Sequence, residues 1–293
     1  MSLEKWLQSG PVLTDGAWGT QLQSRGLAPG EIPDSWNLAR PDAVAEVARS
    51  YSEAGSRILL TNTFRSNRIA LSACGLQKDL KAINQAGVRI SREASAGRAA
   101  VFASMGPSGK MLMTGEISEQ QMEAAFAEQA QILAEAGADA LVIETLSDLT
   151  EAKLALRAAR RTGLPVLVSF AFDSGKNKDR TMTGVTPEQA AREMSDEGAA
   201  AVGANCGLGM EAFVPICRRF KAAAGLPVWI KANAGLPEMT DGKTIYRTTP
   251  EEFAACVPDL ARAGADFIGG CCGTGPAFIA ACKQRLLKMN PCV

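Results

Sequence analysis

The chain has 293 residues, of which 46% are hydrophobic, and its 31 Lys and Arg residues balance 31 Asp and Glu residues. This balance gives no basic excess for nucleic acid, and no apolar run approaches the roughly 20 residues of a membrane span. The opening segment MSLEKWLQSGPVL lacks the apolar core of a signal peptide. We therefore expect a cytoplasmic globular protein with neither a membrane nor a nucleic-acid partner. Histidine is absent, so no histidine can act as a base or as a metal ligand.

A repeated pattern organises the chain. In four segments a helix-like stretch ends at Ala-Gly or Glu-Gly and is followed by a short apolar run. Each run stops at polar or reactive residues, and the segments are 53–63, 135–145, 196–206 and 262–272. The glycine suits a helix C-cap, and the apolar run suits a strand buried on both faces. Four further strand-like runs lie between them, at 12–15, 99–106, 165–172 and 227–235.

Helix-like segments fill the gaps between these runs, for example at 41–55, 117–137 and 249–264. Thr249 and Thr186 each precede Pro at the first helical position, with Glu252 and Gln189 three residues after the Thr. Eight strands that alternate with helices predict an α/β fold, a (β/α)8 TIM barrel forming a single domain over 1–293. A doubly wound open sheet is the alternative, but the first strand leads into DGAWGT, which is not a glycine-rich phosphate loop.

Cysteines stand at two of the predicted strand ends. Cys206 ends the sixth strand, and Cys271 and Cys272 end the eighth inside a Gly-Gly-Cys-Cys-Gly run. Residues at the carboxyl ends of different strands converge at the mouth of a barrel, and the glycines let adjacent cysteines reach one ion. Three thiolates suit zinc and leave one position for a substrate. The alternative is that all three are small buried residues.

The other five cysteines occupy helix-like or terminal positions, and we predict that they pack structurally: Cys74, Cys217, Cys256, Cys282 and Cys292.

Two carboxylates also follow apolar runs directly, at Asp15 and Glu144. They could form a general acid–base pair, bind a substrate ammonium, or be satisfied by backbone donors at the barrel mouth. Ammonium binding fits best with a thiolate-rich metal and no histidine. Thr61 and Asn62 end the second strand, where turn-forming polar residues are also common for structural reasons.

Eight segments resemble the homocysteine S-methyltransferase family, in order and over nearly the whole chain: LTDGAWGTQL, YSEAGSRILLTNTF, ASMGPSG, EAGADALVIETLSDLTEA, GANCGLG, NAGLP, YRTTPEEFA and IGGCCGTGP. The resemblance implies a zinc barrel with Cys206, Cys271 and Cys272 as ligands. It places the amino acid head of L-homocysteine near Asp15 and Glu144, with backbone help around Ser104 to Gly106. It also implies that Asn233 approaches the metal when substrate is absent.

The implied activity is methyl transfer to the thiol of L-homocysteine, which yields L-methionine. Coordination to zinc deprotonates a thiol, so the reaction needs no histidine base. Competing interpretations are a zinc-dependent hydrolase or lyase, which the all-thiolate ligand set disfavours, and a non-catalytic homocysteine- or zinc-binding homologue.

The methyl donor is the open question. Small methyl-onium compounds such as betaine or S-methylmethionine would suit an aromatic surface, and Trp18, Trp36 and Phe64 are the candidates. Thr145 stands where betaine-using relatives carry Tyr, and the alternative donor is methylcobalamin on a separate corrinoid protein. Lys231 precedes Ala232 where relatives often have Pro, and it either contacts the substrate carboxylate or points outward.

Overall fold

The structure is a computed structural model, and it describes residues 3–8, 10–240 and 243–289. The strands are β1 (Val12–Leu13), β2 (Ile58–Leu60), β3 (Ala100–Met105), β4 (Ala140–Leu146), β5 (Val166–Phe170), β6 (Ala201–Gly209), β7 (Val228–Asn233), β8 (Glu238–Thr240), β9 (Lys243–Ile245) and β10 (Phe267–Gly270). β8 and β9 form an antiparallel hairpin between the last two strands of the main sheet.

The other eight strands form one parallel sheet in the order β1-β10-β7-β6-β5-β4-β3-β2. Its two ends meet, because Thr14 forms a parallel bridge with Ile58 and the backbone N–H of Arg57 donates to Leu13 O at 2.8 Å. The predicted (β/α)8 barrel is thereby confirmed, with all eight of its strands in the predicted places. The doubly wound open sheet is wrong.

Helices between the strands form the outer layer. They are α1 (Glu4–Leu7), α2 (Gly19–Gln23), α3 (Trp36–Ala39), α4 (Pro41–Ala54), α5 (Arg68–Ser72), α6 (Leu80–Ser95), α7 (Glu119–Glu135), α8 (Leu149–Arg160), α9 (Pro187–Asp196), α10 (Phe213–Ala223), α11 (Pro250–Ala255), α12 (Val257–Arg262) and α13 (Pro276–Met289). Short 3₁₀ turns occupy Pro33–Ser35, Leu112–Thr114 and Met210–Ala212. No helix among the described residues is long and apolar enough to cross a membrane.

The helix ends follow the local sequence signals. Gly55, Gly137, Gly198 and Gly264 all adopt positive φ at the ends of helices in the four repeats. Thr249 forms a full capping box with Glu252. The helix predicted over 249–264 is nevertheless divided into α11 and α12, because Pro258 has no backbone N–H to continue the helical ladder.

The cysteines outside the barrel mouth differ in burial. Cys217 and Cys282 are buried and Cys256 is half-buried, as expected for packing residues. Cys74 is exposed, so its predicted packing role is wrong; it lies in the surface turn that follows α5. Cys292 falls outside the described residues.

The barrel interior is filled by apolar side chains at its amino-terminal end. Phe102 of β3 stacks with Trp229 of β7, with ring centroids 6.3 Å apart, and Trp229 also contacts Phe267 of β10. The N-terminal helix α1 covers this layer, with the Trp6 ring edge-on to Phe102 at 4.9 Å. This end of the interior is therefore a packed core, and a cavity lies towards the carboxyl ends of the strands.

A buried ion pair lies one layer above this core. The Lys231 side chain is 2% exposed, and its ammonium donates to the carboxylate of Asp15, which is fully buried. The same ammonium donates to the backbone carbonyl of Asp15 at 3.0 Å. The Asp15 carboxylate also accepts from Leu60 N at 2.7 Å and from Trp18 Nε1 at 2.9 Å. This arrangement ties β1, β2 and β7 together.

We expect Lys231→Met to destabilise the barrel by about 3–5 kcal/mol, because it leaves the buried Asp15 charge without its counter-ion. Lys221→Met is the matched control, since it breaks a half-exposed pair with Asp266 and should cost about 1 kcal/mol or less. Urea unfolding of both variants measures the difference. Equal losses would contradict a structural role for the buried pair.

Candidate active site

Strand alternation places polar side chains in a layer at the carboxyl end of the barrel. Successive residues of a strand point to opposite faces, so the residue two positions beyond an interior apolar residue also points inward. Val142, Phe102, Trp229 and Phe267 belong to the interior core. Two positions further along their strands come Glu144, Ser104, Lys231 and Gly269. The next inward positions after Gly269 and Lys231 are Cys271 and Asn233.

The three predicted zinc ligands come together at this mouth. The sulfur atoms of Cys206, Cys271 and Cys272 all lie within 4.8 Å of one another, and this is a group that could hold a metal. Cys206 Sγ and Cys272 Sγ are 3.8 Å apart. Two thiolates that each lie ~2.3 Å from a tetrahedral zinc ion would be about 3.8 Å apart. The donor set and its spacing therefore fit zinc.

Cys206 reaches the cluster through an irregular backbone. Its φ is 63°, in the left-handed region, and the pairing of β6 with β7 shifts register between Asn205 and Gly209. Simple alternation would turn Cys206 away from the interior, because its neighbour Asn205 points inward. The bulge re-aims the side chain towards Cys271 and Cys272.

The ionisation of the three thiols is coupled through their contacts. Hydrogen bonds from Cys271 and Cys272 lower the pKa of Cys206 to about 3, and the amide of Asn233 also lowers it. The pKa values of Cys271 and Cys272 are raised, chiefly by their contact with the Cys206 thiolate and also by burial. One thiolate is therefore easily formed, whereas three together need a cation.

Glu144 is a buried carboxyl group without a full counter-charge. Burial raises its pKa to about 7, while the Lys231 charge and a hydrogen bond from Ser104 act in the opposite direction. Ser104 Oγ donates to Glu144 in a short contact. A second cation beside Glu144 would favour the ionised form.

The Asp15 carboxylate already accepts hydrogen bonds from the three donors described for the ion pair. Asp15 therefore fits the alternative of a carboxylate satisfied by protein donors better than Glu144 does. Lys231 points inward and lines the cavity, and the outward orientation is therefore wrong. Its ammonium lies against Asp15 instead of standing free at the mouth.

The predicted backbone-binding segment forms a closed hydrogen-bond network. Ser104 N donates to Thr61 Oγ1 at 3.0 Å, and Thr63 Oγ1 donates to Ser104 O at 2.7 Å. Thr61 and Thr63 hydroxyls are 2.6 Å apart, so Thr61 is the donor of that pair. Gly106 N donates to Phe64 O at 2.8 Å. These groups fix the loops of β2 and β3 around the cavity.

Three other predicted site residues occupy different surroundings. Asn62 lines the cavity, and its amide donates to Pro33 O and to Asn37. Asn233 is buried, and its Oδ1 has no hydrogen-bond partner among the described residues. An unpartnered oxygen beside the cysteines suits a metal ligand. Trp36 is 2% exposed and packs in the core outside the cavity lining, with Glu31 on its indole N–H and Arg40 over its ring.

A cavity of about 320 Å³ joins these groups. It is lined by Glu144, Ser104, Thr61, Asn62, Lys231 and the three cysteines, together with Trp18, Phe64, Thr145, Asn205 and Asp34. Of the three aromatic candidates, Trp18 and Phe64 lie at the cavity and Trp36 does not. The cavity opens on the cysteine cluster and on Glu144 together, which suits a ligand that carries both a thiol and an ammonium group.

Sequence reasoning missed two residues near this cavity. Asp34 is a buried carboxyl group whose pKa is raised by burial to about 6, and its Oδ1 accepts from Arg65 N and Ser66 Oγ at 2.7 and 2.6 Å. The ring of Tyr246 packs on Gly273, where φ is 81° and a Cβ would come within 2.3 Å of the ring. Burial and the neighbouring Cys272 raise the pKa of Tyr246. Asp34 lies in a short 3₁₀ turn and Tyr246 in a loop, and strand periodicity gives no signal in either segment.

Two proteins with similar sequences are both named methionine synthase. The chain is 30% identical to the methionine synthase of Mycobacterium tuberculosis over 285 residues, which are 92% of this chain and 24% of that protein. It is 28% identical to the methionine synthase of Mycobacterium leprae, again over 24% of that protein. The chain therefore spans about a quarter of the length of these relatives.

One solved structure is similar to this chain over nearly the full length of both proteins. The metallated form of the homocysteine methyltransferase MmuM from Escherichia coli superposes with a TM-score of 0.80 and 26% identity, over 97% of this chain and 99% of that one. The oxidised form of the same protein gives a TM-score of 0.78. The sequence model of the family described as homocysteine S-methyltransferase matches residues 12–286. The chain belongs to the homocysteine S-methyltransferase family.

Proposed function

We propose that the enzyme uses zinc, held by Cys206, Cys271 and Cys272, to methylate the thiol of L-homocysteine and form L-methionine. The observation that carries this proposal is the cysteine cluster, which faces the same cavity as Glu144. The sulfur spacing and the unpartnered Asn233 oxygen beside the cluster support zinc. Bound there, zinc would lower the pKa of the substrate thiol and hold its sulfur as a thiolate at neutral pH.

The side chains of the cavity give the substrate one orientation. The ammonium group of homocysteine lies against Glu144, so that its thiol end reaches the cysteine cluster. Ser104 Oγ donates a hydrogen bond to Glu144 Oε1 and so holds the carboxylate in place. Lys231 stays paired with Asp15 and is not available as a base. These contacts position the sulfur, and they contribute orientation instead of proton transfer.

The transfer itself is a substitution at the methyl carbon. The homocysteine sulfur donates an electron pair to form the new S–C bond, while the bond from the methyl carbon to the donor breaks. The electron pair of the broken bond leaves with the demethylated donor, and the thiol proton passes to solvent before the transfer. The thioether product carries no negative charge and is a weaker ligand than a thiolate.

Cys206→Ala and Cys271→Ala should each lose stoichiometric zinc and methionine formation together, because each removes one of three thiolate ligands. Elemental analysis and a methionine assay measure the two losses. Cys256→Ala is the matched control, since Cys256 is half-buried but lies outside the cluster. A strong chelator should abolish wild-type activity, and added zinc should restore it. Full activity in metal-free protein would refute the zinc mechanism.

Glu144→Gln should weaken homocysteine binding by about 10- to 100-fold at pH 8, because a charge-assisted hydrogen bond is lost, and should leave zinc in place. The raised pKa of Glu144 sets the pH dependence. The carboxylate is ionised above a pH of about 7, so the advantage of wild type over the variant should shrink as the pH falls from 8 to 6. Calorimetry at both pH values tests this, because ionisation of the substrate thiol affects both proteins equally.

Glu151→Gln provides the control for this substitution. Glu151 is another buried carboxyl group with a raised pKa, and it accepts from Ser108 N outside the cavity described above. Its variant should bind homocysteine as wild type does. Unchanged affinity in Glu144→Gln, or an equal loss in both variants, would exclude the ammonium role of Glu144.

For the methyl donor, we propose a small methyl-onium compound such as S-methylmethionine or betaine. Trp18 and Phe64 line the cavity with aromatic surface, which attracts a cation. Asp34 adds a carboxylate to the same lining, and its contacts with Arg65 and Ser66 both involve Oδ1. Oδ2 receives neither of these hydrogen bonds, so it is the oxygen that can face a cationic donor.

Asp34→Asn should raise the KM for an onium donor by about tenfold, through loss of a charge-assisted contact, while the affinity for homocysteine stays unchanged. The amide oxygen of Asn can still accept from Arg65 and Ser66, so the loop should keep its shape. Steady-state kinetics with varied donor concentration measures the effect. An unchanged KM with a fully active donor would exclude Asp34 from donor binding.

A second candidate donor is methylcobalamin carried by a separate corrinoid protein. Four large apolar side chains are strongly exposed on the segments that follow β3, β5 and β7: Met113 (83% exposed), Met239 (71%), Leu236 (67%) and Met182 (64%). Exposed methionines suit an adaptable protein-binding surface, and these segments all follow the carboxyl ends of barrel strands. The similarity to methionine synthases over a quarter of their length agrees with such a partner.

A donor panel separates the two candidates. Betaine, dimethylsulfoniopropionate, S-methylmethionine, S-adenosylmethionine and free methylcobalamin are each assayed with homocysteine. Turnover with an onium compound supports the first candidate, and turnover with methylcobalamin alone supports the second.

A further inference from the structure

Asn205 lies at the barrel mouth, and its side-chain amide forms hydrogen bonds with several neighbours. It is fully buried and points inward from β6 beside the ligand Cys206. Its Oδ1 accepts from Thr145 N at 2.9 Å and from Ser169 Oγ at 2.7 Å. Its Nδ2 donates to Thr145 Oγ1 at 2.7 Å and faces Cys271 Sγ at 4.0 Å. One side chain therefore joins the ends of β4, β5 and β6 to a cysteine of the eighth barrel strand.

Two of these hydrogen bonds, both to Thr145, hold a strained turn. Thr145 directly follows Glu144 and has a φ of 66°, a conformation that is unfavourable for a β-branched residue. The pairing of β4 with β5 shifts register at the same place, between Ile143 and Leu146. Asn205 binds both the backbone N–H and the hydroxyl of Thr145, so it offsets the strain and fixes the direction in which Glu144 leaves the strand.

The same amide also belongs to the surroundings of the cysteines. An N–H group directed at a thiolate sulfur stabilises its negative charge and orients it. The residue next to Asn205, Cys206, is the second non-glycine residue of the mouth with positive φ. The Asn205 side chain thus connects the two bulges, because it bonds to Thr145 and directly precedes Cys206 in the chain.

We propose that Asn205 is a positioning residue that couples the Glu144 turn to the cysteine cluster, so that the thiol site and the ammonium site keep a fixed separation. The inference rests on the proposed function, since it assigns zinc to the cysteines and the homocysteine ammonium to Glu144. It predicts that one substitution weakens both sites, although Asn205 is a ligand in neither.

The test compares Asn205→Ala with Ser169→Ala. The control removes one hydrogen bond to Asn205 Oδ1 from an equally buried neighbour but leaves the contacts of Asn205 with Thr145 and Cys271. Zinc affinity is measured by competition with a chromophoric chelator. Affinity for the amino acid head is measured in metal-free protein with L-homoserine, which has no thiol. Absorption of the cobalt-substituted proteins reports ligand geometry independently of turnover.

Asn205→Ala should weaken zinc binding by about 10- to 100-fold and change the sulfur-to-cobalt charge-transfer absorption of the cobalt-substituted protein. It should also weaken the binding of L-homoserine by about fivefold. Ser169→Ala should change neither the zinc affinity nor the L-homoserine affinity by more than about twofold. All measurements are made at a temperature where each variant is folded. Asn205→Ala that only loses stability, with affinities and spectrum like those of Ser169→Ala, would overturn the coupling role.

A second comparison covers a variant that folds poorly. Gly accepts positive φ without strain, so Thr145→Gly should remove most of the need for Asn205. The loss of stability from Asn205→Ala should therefore be smaller in the Thr145→Gly background than in wild type, and an equal loss would contradict the clamp. Failure of the proposed function would appear differently, as wild-type protein that binds neither zinc nor L-homoserine.

Discussion

A closed parallel barrel directs every second residue of each strand into an interior that must be filled. In this chain the lower interior is occupied by large apolar side chains such as Phe102 and Trp229, which leave no room for solvent. Polar groups can face the interior only one layer higher, where the strands end. The position of the active site therefore follows from the packing of the core beneath it, and Glu144, Lys231 and Asn205 project from rigid strands.

Charge is the second constraint on this layer. Asp15, Glu144 and three thiols are potential anions in a buried space, and the Lys231 ammonium compensates the carboxylate of Asp15. Cys206 has a lowered pKa and ionises readily, whereas Glu144, Cys271 and Cys272 have raised pKa values and hold their protons more tightly. A divalent metal and a substrate ammonium would supply the missing positive charge. On the proposed function, the ligands thus act as the counter-ions of the site.

The sequence predicted the barrel and the cluster of cysteines because both depend on repeated local signals, namely a C-cap glycine, a short apolar run and a reactive strand end. The inward direction of Lys231 follows from its spacing to Trp229 and could have been read in the same way. The orientation of Cys206 could not, because it depends on a bulge that strand periodicity does not reveal. Trp36 and Asp34 lie in short helical turns after β1, and Tyr246 lies in a loop. The course of these segments is set by tertiary contacts such as that of Asp34 with Ser66.

This difference between strands and loops divides the chemistry of the site. Glu144 and the cysteines stand at strand ends or directly beside them, where the barrel fixes their distances. Asp34, Phe64, Tyr246 and the exposed methionines stand on the connecting segments that follow the barrel strands, outside the strands that form the barrel. On the proposed function, thiol activation would need one constant geometry, whereas the surface that receives the donor could change from one barrel to another. On the proposed function, this division would let barrels of this kind serve methyl donors of very different size, because a change of donor would require new loops and no change in the residues that hold the acceptor.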